Sequence, residues 1–247
     1  IEHIESTEIG KAVVDCKMFC DIIRKLPNSE ITISVNDKNL LVIECEGSLY
    51  KLSTLKAEEF PTLPTINVEK SISIESKMLK ELIKRTIFAI SLEENRPVFT
   101  GSLFEVKDNR LNVVSVDGFR LALRKAVVKE ASENFSAIVP GKYLNEIVKN
   151  LQDTEEIVKV GISKNQALFE LPNCKIVTRL LEGEFLNYNN VIPKERETRI
   201  KVNKSSLQGA IERASIFSIT AAEKEKKYPV KVTIDIGKVI ISCTNQT

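Results

Sequence analysis

The side chains of this sequence best suited to chemistry are cations set seven residues apart. Lys17 and Arg24 keep that interval, Lys142 and Lys149 repeat it, and Lys77, Lys80 and Lys84 follow an i, i+3, i+7 pattern. On a helix these intervals project each set from one side, over two turns. Lys204 and Arg213 add two cations on a fourth segment, nine residues apart. Rows of ammonium and guanidinium groups supply electrostatic attraction rather than bond-making. The competing reading of each one is a solvated exterior cation.

Groups for bond-making are missing. The single histidine, His3, lies close to the start of the sequence, so no Ser-His-Asp or Cys-His arrangement can form within a folded core. Neither G-x-x-x-x-G-K-[ST] nor G-x-G-x-x-G occurs, which leaves nucleotide hydrolysis and dinucleotide chemistry without a seat. Cys16 and Cys20, one helical turn apart, could ligate a metal with partners elsewhere, but read better as two small hydrophobes on a core face. Glu58-Glu59 and Glu93-Glu94 read as solvated surface. The expectation is a binding protein, with no cofactor, no metal and no catalytic residue.

Four helices carry the cations. Apolar residues recurring three and four apart place them at about 15–26, 76–91, 140–151 and 204–218. In the second, Leu79, Leu82, Ile83, Ile87 and Ile90 form the buried stripe. Between them, alternation of apolar and polar residues marks strands over 31–37, 39–47, 48–55, 71–76, 100–107, 110–117, 119–128, 157–163, 166–172 and 174–183, with two more near the end. Asp108-Asn109, Asp117-Gly118 and Ile236-Gly237 fall where hairpin loops need residues that tolerate positive φ. Helices on one face of antiparallel sheets make an α+β fold rather than a doubly wound one.

The helices belong to a repeat. VVDCKMFCDIIRKL (13–26) aligns without gaps on IVPGKYLNEIVKNL (138–151), matching Lys17 to Lys142, Asp21 to Glu146 and Arg24 to Lys149. The same offset sets Phe60 on Phe185; at a second offset, 128, KMLKELIKRT (77–86) pairs with SSLQGAIERA (205–214). Tandem arrays present extended surfaces. A unit of about 125 residues with two helix-bearing halves divides the chain into the second half of one unit (1–68), a complete unit (69–196) and the first half of another (197–247). The lack of an initiator Met fits a chain cut at both ends. With 43% hydrophobic and 28% charged residues, the composition is that of an ordinary globular protein. No run of 18 apolar residues occurs, the acidic start is unlike a signal peptide, and five irregularly spaced cysteines fit reduced thiols, so a cytoplasmic protein is expected.

VFTGSLFEVKDNRLNVVSVDGFRLAL (98–123), EEFPTLP (58–64) and LLEGEFLNYNNVIP (180–193) resemble the bacterial sliding-clamp family, the beta subunits of DNA polymerase III, and the likeness runs along essentially the whole chain. Its most specific element is TGSLFEV followed sixteen residues on by VDGFRLA. The resemblance implies a DNA clamp fold of repeated β-α-β-β-β half-domains, three domains per subunit, and a head-to-tail homodimer ring. In such a ring, helices line a hole occupied by duplex DNA, and their cations attract phosphates weakly and without regard to base sequence. The net charge of +2 fits cations concentrated on one surface and balanced by acids elsewhere.

The DNA-facing residues implied are Lys17, Arg24, Lys77, Lys80, Lys84, Arg96, Lys142, Lys149, Lys204 and Arg213. A second implied surface is a pocket for a short peptide of DNA polymerase III alpha subunit, the clamp loader and other partners. Its positions here are Phe99, Val116, Gly118, Phe119, Arg120, Leu121, Leu186, Asn190 and Val191. Many relatives carry His at the position of Phe119, Pro at Leu186 and a basic residue at Asn190, and the family's C-terminal tail completes the pocket, so an altered preference and a reduced affinity are expected. The function implied is a processivity clamp that tethers the replicative polymerase. A repeat-built interaction module, or an enzyme with an unrecognised site, is the alternative.

Overall fold

Asp15 starts the first helix by accepting a hydrogen bond from the Met18 amide at 2.7 Å, which satisfies one of the donors a helix start leaves open. The helix, α1 (Cys16–Lys25), leads into a meander of β1 (Thr32–Val35), β2 (Leu40–Cys45) and β3 (Ser48–Ser53), paired antiparallel in that order. Phe19, Ile22, Ile23 and Leu26 of the helix side pack on Leu41, Ile43 and Leu52. This computed structural model describes residues 5–6, 9–61, 66–195, 197–219 and 228–244. His3 and residues 62–64 of the EEFPTLP segment lie outside the described residues. The chain divides into two compact units, 1–185 and 186–247, and each is described by itself.

In the first unit the helix-plus-meander motif then occurs twice. The first copy is β4 (Lys70–Glu75), α2 (Ser76–Lys84), β5 (Gly101–Lys107), β6 (Arg110–Val116) and β7 (Leu121–Val127). After a two-residue strand, β8 (Glu130–Ala131), the second is β9 (Phe135–Pro140), α3 (Gly141–Asn150), β10 (Ile157–Ile162), β11 (Gln166–Glu170) and β12 (Lys175–Arg179). The copies exchange their leading strands. One sheet runs β7-β6-β5-β9 and the other β12-β11-β10-β4-β8. Ile72 thus faces Val160 across a strand pair, and Leu103 faces Ile138.

Between the two sheets lies one apolar core. Leu79, Leu82 and Ile83 of α2 and Leu144 and Ile147 of α3 are fully buried there with Phe104, Leu111, Val113, Val158 and Phe169. The rings of Phe104 and Phe169 meet edge to face at 6.3 Å. Gly101 is required by close approach: a Cβ there would stand 2.5 Å from the Val139 carbonyl oxygen, while one on Gly141 would press on the end of the Ile90 side chain. The hairpin residues Asp108 and Asn109 take φ of 50° and 58°, as a tight turn between β5 and β6 demands.

The second unit contains α4 (Lys204–Ile219) and the hairpin of β13 (Lys231–Asp235) and β14 (Lys238–Ser242). Asn203 starts α4, its side-chain oxygen accepting from the Ser206 amide at 3.1 Å. Gly237 supplies the positive φ of the hairpin turn.

Three sequence expectations need correction. The second helix ends at Lys84 rather than 91, because the Thr86 hydroxyl turns back to donate to the carbonyls of Leu82 and Ile83, at 2.8 and 3.2 Å. The chain continues as a 3-10 turn, Ile87–Ala89. Strand β9 was not expected, since its short apolar run ends in Pro140 and passes directly into a helix. Cys16 is exposed and Cys20 half-buried, with their Sγ atoms 3.9 Å apart, so the pair is not on the core face that Phe19, Ile22 and Ile23 occupy.

Candidate nucleic-acid interface and peptide pocket

The buried stripes of α2 and α3 and the half-buried stripe of α1 fix what their other sides present. Lys17 and Arg24 are exposed on α1, Lys77 and Lys84 on α2, and Lys142 and Lys149 on α3. Lys80 is held differently. Its ammonium donates to Asp153 Oδ2 at 3.0 Å and only 15% of its side chain is exposed, which withdraws it from the open row. Asp153 lies in the loop that follows α3, and the same loop closes the start of α2, where the Ser76 hydroxyl donates to the Gln152 carbonyl and the Lys77 amide to the Thr154 carbonyl. The hydrogen bond from Lys80 holds the Asp153 carboxyl below the usual carboxylate range, helped by the fields of Lys80, Lys84 and Lys77 and opposed by partial desolvation. The basic side of α2 therefore meets the end of α3 at one carboxylate.

Arg96 is exposed just before a 3-10 turn, Pro97–Thr100, in the loop that returns from α2 to β5. Lys204 and Arg213 are exposed on α4, in the second unit.

The β6–β7 loop presents Phe119 at 99% exposure. Asp117 builds this loop: one carboxylate oxygen accepts from the amides of Phe119 and Arg120 at 3.0 and 3.1 Å, and the other accepts from Arg120 Nε at 2.8 Å. These bonds, that from the Phe119 amide foremost, hold its carboxyl below the ordinary value. Gly118, with φ of 90°, makes the turn possible. The Arg120 guanidinium lies 5.6 Å from the centre of the Phe88 ring, so it is braced by a carboxylate on one side and an aromatic face near another. Phe99 meets Phe185 edge to face at 5.7 Å. Val116 is buried beneath the loop and Leu121 half-buried.

Asp117, expected as a turn residue, and Phe88 and Phe185, not among the expected residues, contact the expected pocket residues Phe119, Arg120 and Phe99. An Asp followed three residues on by Arg, within a Gly turn, is the signal that could have revealed Asp117. Of the other expected pocket residues, Leu186 is half-buried while Asn190 and Val191 are exposed, all three in the second unit, where Asn187 caps a short turn, Tyr188–Asn190.

Two family models match: the N-terminal domain of the DNA polymerase III beta subunit over residues 1–64, and its central domain over 73–187. The chain is 36% identical over 220 residues to the beta sliding clamp of Halalkalibacterium halodurans, covering 88% of this chain and 58% of that protein. To the beta sliding clamp of Staphylococcus epidermidis it is 36% identical over 217 residues, with the same coverage. The crystal structure of the DNA polymerase sliding clamp from Bacillus subtilis matches with a TM-score of 0.85 at 32% identity, over 95% of this chain and 64% of that one. The fold is the α+β DNA clamp fold. The chain belongs to the DNA polymerase III beta subunit family, the beta sliding clamps, and spans 58% of the length of the curated relatives named.

Proposed function

We propose that this chain is part of a processivity clamp that encircles duplex DNA, slides along it and tethers the replicative polymerase. The observation that carries the reading is the repeated row of exposed cations, seven residues apart, on α1, α2 and α3 of a chain of this family. Lys17, Arg24, Lys77, Lys84, Lys142 and Lys149 attract phosphates, with Arg96, Lys204 and Arg213 adding to them and Lys80 acting only through its field. The divisions 1–68, 69–196 and 197–247 are the second half of one clamp domain, a whole domain and the first half of a third. The complete protein closes as a homodimer ring in the cytoplasm, and its role is binding rather than catalysis.

Phe119, Arg120, Phe99, Val116, Gly118 and Leu121 of the first unit receive a peptide of the polymerase alpha subunit, the clamp loader or another clamp-binding protein; Leu186, Asn190 and Val191 of the second unit are peptide-contacting residues in their own right. An apolar surface around one fixed guanidinium suits a peptide with Leu and Phe anchors and a polar lead residue.

Fluorescence anisotropy with a duplex of arbitrary sequence tests the first surface. Binding should weaken steeply as salt rises, by a slope of about 0.9 in log K per phosphate contact. Lys142→Glu with Lys149→Glu should abolish it, and unchanged binding in that variant would overturn the reading. A Gln-Leu-x-Leu-Phe peptide should bind the unmodified chain and lose affinity with Phe119→Ala or Arg120→Ala; equal affinity would remove the pocket.

A further inference from the structure

Three helices share a feature that attraction to phosphate does not require. Each exposed row holds a carboxylate between its cations: Lys17-Asp21-Arg24, Lys77-Glu81-Lys84 and Lys142-Glu146-Lys149. The spacing, four residues and then three, is the same each time and sets all three heads on one side of the helix. The acid is the sixth residue of its helix in every case. In α4 that place is taken by Gly209.

The carboxylates engage cations. Asp21 Oδ1 lies 3.6 Å from Arg24 Nη1, and Glu146 Oε1 lies 2.7 Å from Lys149 Nζ. Glu81 stands 3.8 Å from Arg85 of the same helix end and 3.9 Å from Arg124 on β7. Stability gives no reason for them. The acids are about half exposed, at 52%, 45% and 57% of their side chains, and such pairs contribute little to folding. They also lie past the first turn, where the helix dipole no longer favours an anion.

We propose that these acids attenuate the DNA-facing rows: Asp21 and Glu146 compete with phosphates for the heads of Arg24 and Lys149, and Glu81, whose partners Arg85 and Arg124 lie outside the Lys77–Lys84 row, acts on that row through its field as a duplex passes. This inference rests on the DNA reading given above. A phosphate that approaches Arg24 or Lys149 must displace an intramolecular carboxylate and meets the repulsion of that carboxylate. The barrier between successive phosphate positions is lowered because no single contact is strong, which suits movement along the helix axis. Asp153, which holds Lys80, acts on α2 in the same sense.

The test is the triple variant Asp21→Asn, Glu81→Gln, Glu146→Gln in the full chain, titrated onto a labelled duplex across a salt series. Duplex affinity should rise about tenfold near ~50 mM salt, and the slope of log K against log salt should steepen by about 2, as two or more additional phosphates are engaged. Glu44→Gln, Glu130→Gln, Glu182→Gln removes the same charge from exposed positions off these helices and should leave the slope unchanged. Equal slopes in the two triple variants, or no change in the first, overturn the proposal. If Lys17→Gln, Lys142→Gln, Lys149→Gln weakens binding in that same series, the DNA reading survives the loss; if it does not, both fall. Circular dichroism confirms that each variant is folded, and the single change Glu146→Gln, expected to show the same direction at smaller size, repeats the test with the least disturbance.

Discussion

Residues 13–26 and residues 138–151, with the strands that follow each, are one sequence pattern in two surroundings. Leu144 and Ile147 of α3 are fully buried, whereas their counterparts Phe19 and Ile22 on α1 are only half-buried. On the adjoining strands, Val158 and Val160 of β10 have no exposure, while the matching Ile33 and Val35 of β1 are 43% and 49% exposed. Strand β10 lies between β11 and β4, but β1 has β2 as its one neighbour in its sheet among the described residues. The pattern therefore dictates helix, turn and strand locally, and burial of the apolar face depends on a second half that brings a strand and a helix to cover it. Repeats of this kind cannot seal a core singly.

Matched substitutions give the largest expected effect. Ile147→Ala should cost about 3–4 kcal/mol in urea unfolding and Ile22→Ala about 1–2 kcal/mol, since a half-buried side chain loses less apolar contact and leaves no closed cavity. Equal costs would erase the distinction between the two halves. Gly101→Ala should cost about 2 kcal/mol, because its Cβ meets the Val139 carbonyl oxygen at 2.5 Å and Leu181 Cδ1 at 2.8 Å, where β9 must approach β5. A thermal midpoint identical to that of the unmodified chain would show that the central sheets give way more easily than their packing implies.

The smallest effect is a pH dependence confined to the β6–β7 loop. The folded-state pKa of Asp117 is depressed, so its contribution is complete above the unfolded value, about 3.9, and fades as pH falls through the lower folded value. Protection of the Phe119 and Arg120 amides, relative to their intrinsic exchange at each pH, should fall over that acidic range, before the central core opens. Asp117→Asn should remove the transition, and its persistence in that variant would assign it to another carboxylate.

Much of this was legible in the sequence because the determinants are local. The apolar stripes of α1, α2 and α3, the turn at Asp108-Asn109 and the alternation in the meanders depend on neighbours a few residues away, whereas α4 leaves Ile211 and Ile216 exposed. Where the reading fell short, a distant group decided. The apolar period runs on through Ile87 and Ile90, which stay partly buried, but periodicity records burial and not helix, and the Thr86 hydroxyl ends α2. Helical spacing gave the side of α2 on which Lys80 sits but could not reveal that Asp153, 73 residues on, would take its ammonium. In the same way Phe88 reaches Arg120 only through the packing of α2 beside β7.

The exchange of leading strands carries a consequence for assembly. Because β4 completes the sheet of the later copy and β9 that of the earlier, the central domain cannot mature one copy at a time during synthesis: its first meander emerges lacking an edge that is still to be translated. Loop-closure entropy must be met before those long-range pairs form, which makes folding slow for its size. Cleavage between β8 and β9 would leave two pieces each holding the strand that the other lacks, so the nicked halves should recombine as a non-covalent complex, a route by which this domain could be rebuilt from two separately expressed polypeptides.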